Sequence, residues 1–131
     1  MLHVVVGIII NAEQQVLVAR RQSHQIKAGC WEFPGGKVEP GETAFAALQR
    51  EFAEEIGISV TQAEAWMKFD YVYPHKHVLL DVWLIQAFEG TPTGAEGQVV
   101  GWVTAAEMTQ MEFPEGNKVI IERLLEHLSP S

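Results

Sequence analysis

GKVEPGETAFAALQREFAEEIGI, from Gly36 to Ile58, opens as a Gly-rich loop and continues as a helix. The helix reads from near Thr43 to Gly57, a residue suited to a left-handed cap. At 100° per residue, Glu51, Glu54 and Glu55 fall within about 100° of one another. Such crowding has two readings, a solvated acidic stripe or a set of oxygen ligands whose repulsion a hard divalent cation would relieve. Phe45, Leu48, Phe52 and Ile56 share an adjoining face, so the helix can bury one side and keep the carboxylates at its edge. Pro34-Gly35-Gly36 and Pro40-Gly41-Glu42 give a constrained backbone, poor in side chains, that an ion or ligand can approach closely.

Outward from this stretch, the chain reads as a single domain, 1–131, long enough for a real core. Its apolar content of 47% and charged content of 20% are those of an ordinary globular protein. A net charge of −8 disfavours a nucleic-acid polymer as partner, yet it is compatible with a nucleotide whose phosphates are neutralised by metal and a few local cations. Cys30 is the only cysteine, which rules out an internal disulfide and fits a reducing compartment such as the cytoplasm. Nothing near it in sequence suggests an activated nucleophile. His3 to Ile10 is apolar but short and lacks a basic leader, so it is expected to be a buried strand, neither signal peptide nor membrane span.

Asn11 to Gln15 reads as a turn and Val16 to Arg20 as the second strand of a hairpin. Arg20-Arg21 then enters a polar loop, Gln22 to Gly29; the pair is either a solvated strand end or a clamp for phosphate. Trp66 to Tyr73 and His77 to Phe88 read as strands around a turn at Pro74-His75-Lys76. His75 and His77, two apart, would share a strand face as metal ligands or, more simply, stand exposed at the turn. Val99 to Val103 is a short strand. Thr104 to Glu107 is a capping-box pattern for a short helix. Asn117 has the chemistry of a helix N-cap, and Val119 to Leu128 reads as an amphipathic helix. This order implies an α/β fold, a mixed β-sheet between helices in an α/β/α sandwich.

Gly36, Glu42, Arg50, Glu51, Phe52, Glu54, Glu55, Gly57 and Ile58 also stand at the spacing of the Nudix box, and the chain resembles the Nudix hydrolases. Phe52 departs softly from the aliphatic residue usual at its position. The resemblance extends over nearly the whole chain to the MutT type, which hydrolyses oxidised guanine nucleotides such as 8-oxo-dGTP. It is carried by Trp31-Glu32-Phe33-Pro34-Gly35-Gly36-Lys37, by Glu89-Gly90, by Glu96-Gly97-Gln98 with Trp102, and by Phe113-Pro114 with Asn117. It implies the Nudix sandwich and hydrolysis of a nucleoside triphosphate to the monophosphate and pyrophosphate with Mg²⁺ or Mn²⁺. It implies a metal set of Glu51, Glu54, Glu55, Glu96 and the Gly35 carbonyl. Glu42 would support that set and Arg50 would position Glu51. Either Glu51 or Glu54 would be the base, Glu51 being favoured. Lys37 would offset charge on the leaving group, or simply be a surface lysine. Arg21 would touch phosphate or nucleoside, and Phe33 and Asn117 would lie against the base.

The expected partner is a small nucleotide, with no nucleic-acid polymer and no membrane, and the expected state is a monomer. Two rivals stay open: a Nudix pyrophosphohydrolase for another nucleotide such as dCTP or CTP, and a catalytically silent Nudix module that binds a ligand. The intact set of Glu51, Glu54 and Glu55 speaks against the silent module.

Overall fold

The computed structural model describes residues 1–21 and 29–128. In chain order the elements are β1 (Leu2–Ile8), β2 (Gln15–Arg20), β3 (Trp31–Glu32), β4 (Gly35–Lys37), α1 (Ala44–Glu55), β5 (Ser59–Tyr73), β6 (Lys76–Glu89), β7 (Val100–Thr104), α2 (Ala105–Met108) and α3 (Asn117–His127). The chain divides into two compact units, Met1–Ile9 with Pro34–Gly97, and Ile10–Phe33 with Gln98–Ser131.

The first unit is built on a four-stranded sheet in the order β4-β1-β6-β5. β1 and β6 run parallel while the other two pairings are antiparallel, so the sheet is mixed. Val5 and Val82 are wholly buried, which explains why β1 and the middle of β6 read as apolar runs instead of clean alternation. The stretch expected to be a glycine loop is in part a strand. Gly35 and Gly36 lie opposite Val6 and Val5. A side chain at Gly35 would put its Cβ 2.0 Å from the Val5 carbonyl oxygen, so glycine is what lets this edge close.

Helix α1 sits against this sheet through Ala47, Leu48 and Phe52, all buried. Thr43 caps it, its side chain accepting from the Ala46 N–H at 3.1 Å. Gly57, at φ +73°, ends it. The Phe52 ring occupies the space left by Gly7, where a Cβ would lie 2.4 Å from the ring and 2.8 Å from Ile85. An aromatic residue is therefore accommodated at this box position by the bare backbone of β1.

β5 and β6 form a long hairpin in which Tyr73 faces Lys76 across Pro74-His75. His75 is thus in the turn and does not share a strand face with His77, which instead meets Asp70 at 3.2 Å. Register shifts interrupt β5 at Val60/Gln62, Gln62/Ala63 and Ala65/Met67. Asp81, in the middle of β6, is 2% exposed and is held by His3 Nε2 at 2.8 Å. Its place between apolar neighbours gave no sign of that partner, which lies on another strand.

The second unit carries a three-stranded antiparallel sheet, β3-β2-β7. The expected mixed sheet is accordingly two sheets, because β2 pairs with β3 and β7. Thr104 and Glu107 form the capping box read for α2. The last helix starts two residues earlier than expected, at Asn117, with Gly116 at the cap position and no side-chain cap bond. Asn117 is therefore not the N-cap; it is the first helical residue, its N–H bonded to the Pro114 carbonyl at 2.9 Å. The polar loop read at Gln22 to Gly29 lies, apart from Gly29, outside the described residues. Among the described residues no helix is long and apolar enough to cross a membrane.

The seat of Phe52 gives a direct test. Gly7→Ala is expected to destabilise the fold by about 1–3 kcal/mol, the usual cost of overpacking a tight core. Phe52→Leu in the same chain should recover most of that loss. Urea denaturation of the single and double variants measures both, and additive losses would show that the two positions do not compete for one space.

Candidate active site

Arg50 stands at the centre of the carboxylate cluster. It grips Glu42 with two parallel bonds, Nε to Oε2 at 2.7 Å and Nη2 to Oε1 at 2.9 Å. Nη1 donates to Glu51 Oε1 at 2.9 Å, and Nη2 also donates to the Lys37 carbonyl at 2.9 Å. Glu54 Oε2 lies 3.6 Å from Nη1 and Glu39 Oε1 lies 3.8 Å from Nη2. One planar fork thus joins the loop before α1, the end of β4 and the carboxylate edge of the helix.

The ionisation follows from these bonds. The hydrogen bond from Arg50 is the main cause, helped by the Glu39 N–H, that holds the Glu42 carboxyl down at about 2. The same bonds, led by that to Glu42, push the Arg50 guanidinium further up.

Glu51 is set by shape as well as charge. A Cβ on Gly36 would fall 2.3 Å from the Glu51 carboxyl carbon and 2.5 Å from each oxygen. The carboxylate therefore lies flat against a bare stretch of β4 backbone. The C-terminal end of α1 is tied to the loop that follows β6, since the Thr93 N–H donates to Ile56 O at 2.9 Å and the Ala95 N–H to Glu55 O at 3.0 Å. Glu96 follows directly in this loop. Lys37 gives Arg50 its carbonyl and occupies an exposed position.

Glu51, Glu54, Glu55, Glu96 and the Gly35 carbonyl offer oxygen donors only, the set a hard divalent cation takes. The bare Gly36 backbone gives the space that the Glu51 carboxylate itself occupies, and any larger residue there would displace it. In donor type the residues fit such an ion. Among the described residues no three acidic, histidine or cysteine side chains already converge at ligating distance.

In the second unit the expected substrate residues have partners of their own. Arg21 Nη1 donates to Glu32 Oε1. Burial pushes the Glu32 carboxyl up despite the opposing pull of Arg21. The Phe33 ring is 4% exposed and stacks on Phe113, centroids 5.3 Å apart at 28°. Phe113 thus packs on one face of the ring expected to lie against the base. The Trp31 N–H donates to Glu112 O at 2.8 Å, so β3 also anchors the backbone before Phe113. Asn117 is half-buried. Glu32 and Phe113 were not expected as partners. The alternation of a β2–β3 hairpin could have suggested Glu32, while Phe113 is too far along the chain for any local signal.

A sequence profile described as the NUDIX domain matches residues 5–123. The chain belongs to the Nudix family. The chain is 37% identical over 123 residues to the 8-oxo-dGTP diphosphatase of Escherichia coli K12, covering 94% of this chain and 95% of that one. It is 33% identical over 121 residues to the CTP pyrophosphohydrolase of the same organism, covering 92% and 90%. A solved MutT structure from work on the Aliivibrio salmonicida and Vibrio cholerae proteins superposes with a TM-score of 0.84 at 41% identity, covering 96% of this chain and 98% of that one. The α/β sandwich expected for a Nudix fold is the fold class of these neighbours. Nudix hydrolases need a divalent metal ion, in keeping with the donor set described above.

The Glu42–Arg50 bond predicts an acid limb. A carboxyl held below its ordinary value stabilises the fold above pH 4.5, and that contribution is lost as pH falls toward 2. Glu42→Gln should therefore flatten the decline of Tm between pH 4.5 and 2. Scanning calorimetry of both proteins across that window checks it, and parallel acid limbs would count against the pair.

Proposed function

We propose that this Nudix chain, one domain over 1–131, hydrolyses 8-oxo-dGTP to 8-oxo-dGMP and pyrophosphate with Mg²⁺ or Mn²⁺. The observation that carries the reading is the Glu51 carboxylate, laid against Gly36 and fixed by Arg50, in a chain that matches an 8-oxo-dGTP diphosphatase over nearly its full length. The same reading takes the enzyme as a cytoplasmic monomer that cleanses the nucleotide pool.

Glu51, Glu54, Glu55, Glu96 and the Gly35 carbonyl are the groups that would hold the cation. When bound, a divalent cation offsets phosphate charge and makes water easier to deprotonate. Glu51 takes the proton of the attacking water, and Arg50 holds it in line. Attack falls on the β phosphorus. The bond from that phosphorus to the αβ-bridging oxygen breaks, the monophosphate leaves with the bridging oxygen, and pyrophosphate carries the oxygen of water. Lys37 offsets the charge of the leaving group. Arg21 contacts phosphate or nucleoside.

Selectivity is assigned to Asn117. Guanine shows two acceptors on its Hoogsteen edge, N7 and O6. Oxidation at C8 places a hydrogen on N7, so the edge becomes a donor beside an acceptor. A side-chain amide also offers one donor and one acceptor, and it can pair twice with the oxidised base but not with guanine. Asn117 does not cap α3, which leaves this amide to act in recognition. Phe33, stacked on Phe113, supports the segment that leads to Asn117.

Steady-state assays over 8-oxo-dGTP, dGTP, 8-oxo-GTP and CTP test the reading, with pyrophosphate as product. 8-oxo-dGTP should have the highest kcat/KM; preference for CTP would move the chain to the other nucleotide class. Glu51→Gln should lower kcat by roughly 10² to 10⁴ at saturating Mg²⁺. Retention of more than about a tenth of the rate would remove Glu51 from the role of base. Asn117→Ala should shrink the ratio of kcat/KM for 8-oxo-dGTP over dGTP by about tenfold or more, whereas an equal fall for both would place selectivity elsewhere.

A further inference from the structure

Arg20 ends β2 and Arg21 follows it, and the structure treats the two differently. Arg20 Nε donates to Gly29 O at 3.2 Å, and its guanidinium lies 5.9 Å from the centroid of the Trp31 ring. Arg21 goes to an acid. The β2–β3 ladder sets Arg20 opposite Trp31 and Ala19 opposite Glu32, and the Arg21 N–H donates to Cys30 O at 2.8 Å. By the two-residue period of the ladder, Arg21 and Glu32 are diagonal neighbours on one face. There Arg21 Nη1 donates to Glu32 Oε1, with the two side chains 24% and 23% exposed.

From this placement we infer that Glu32 is a positioning residue, which sets the plane of the Arg21 guanidinium for a phosphate-bearing ligand. A guanidinium is rigid and its donors are fixed in one fork, so holding one Nη against a strand fixes the direction of the others. The pair is badly suited to a purely structural task. Burial raises the Glu32 carboxyl, and this outweighs the pull of Arg21. A raised carboxyl contributes stability that is full below its unfolded value and is lost as pH rises through the folded one, so ionising Glu32 costs the fold. The inference rests on the nucleotide reading above for its choice of ligand.

The test is a double-mutant cycle of Glu32→Met and Arg21→Ala, read three ways: Kd for 8-oxo-dGMP by calorimetry, kcat/KM for 8-oxo-dGTP, and Tm at pH 7. Glu32→Met keeps the volume and removes the acceptor. It should weaken Kd and lower kcat/KM by tenfold or more, without lowering Tm. In the Arg21→Ala background the same change should alter either value by less than twofold. Glu32→Gln, which keeps a neutral acceptor, should recover part of the loss. Additive effects, tighter binding in Glu32→Met, or an affinity loss that follows a fall in Tm would each overturn the inference, as would an Arg21→Ala variant that binds like wild type. If the wild type binds 8-oxo-dGMP but turns over no nucleotide, the proposed activity fails alone and the Kd cycle still decides on Glu32. If it binds no 8-oxo-dGMP, both fall.

Discussion

The five donors of a single guanidinium decide how the carboxylate edge of α1 is arranged. Without Arg50, the three glutamates that follow it on the helix would repel, and Glu42 would have no reason to fold back from the loop. With it, Glu42 is gripped twice, Glu51 once, and the Lys37 carbonyl is drawn to the same point. The bond geometry is made by the loop, the strand and the helix together, so the position of Glu51 is a property of the whole Gly36–Glu55 stretch. Burial beneath supports it. Leu48, Phe52 and Ile56 are wholly buried, which keeps the opposite side of α1 from turning and fixes the angle at which the acidic edge emerges.

The helix and its acidic edge were legible in sequence because both are local. A capping Thr43, a terminating Gly57 and a 3.6-residue period lie within one continuous stretch. So was the short α2, whose box is read from Thr104 and Glu107 alone. What escaped was made by distant pairing. Gly35–Lys37 reads as loop chemistry, and only the approach of β1 turns it into a strand. Asp81 gives no hint of His3, and Phe33 none of Phe113, because each pair meets across the fold. Asn117 shows the limit of a local rule: its side chain suits an N-cap, yet Gly116 holds that position and Asn117 enters the helix. The Phe52 departure from an aliphatic residue was visible, but its reason, the absent side chain of Gly7, was not.

The residues assigned to chemistry and those assigned to recognition also differ in how they are held. Glu42, Arg50 and Glu51 share one ionic network in which each charge has a near partner. Phe33 and Phe113 are held by ring stacking, and Arg21 is bonded to Glu32. A network of charges keeps its geometry through mutual constraint, whereas stacked rings tolerate slight shifts.

The interrupted register of β5 bears on how the molecule behaves in company. β5 is an edge strand of fifteen residues, long enough to template a neighbour along its open side. Its pairing with β6 slips at Val60/Gln62, Gln62/Ala63 and Ala65/Met67. Each slip bends the strand and breaks the even row of outward N–H and C=O groups that a second sheet would have to match. Exposed Glu64, Lys68 and Asp70 add charge of both signs along it. Gln49 of α1 donates to the Val60 carbonyl at 2.8 Å, at the first of these slips, so removing a bulge would both restore the even outer row of β5, leaving it prone to stack, and disturb the seat of α1.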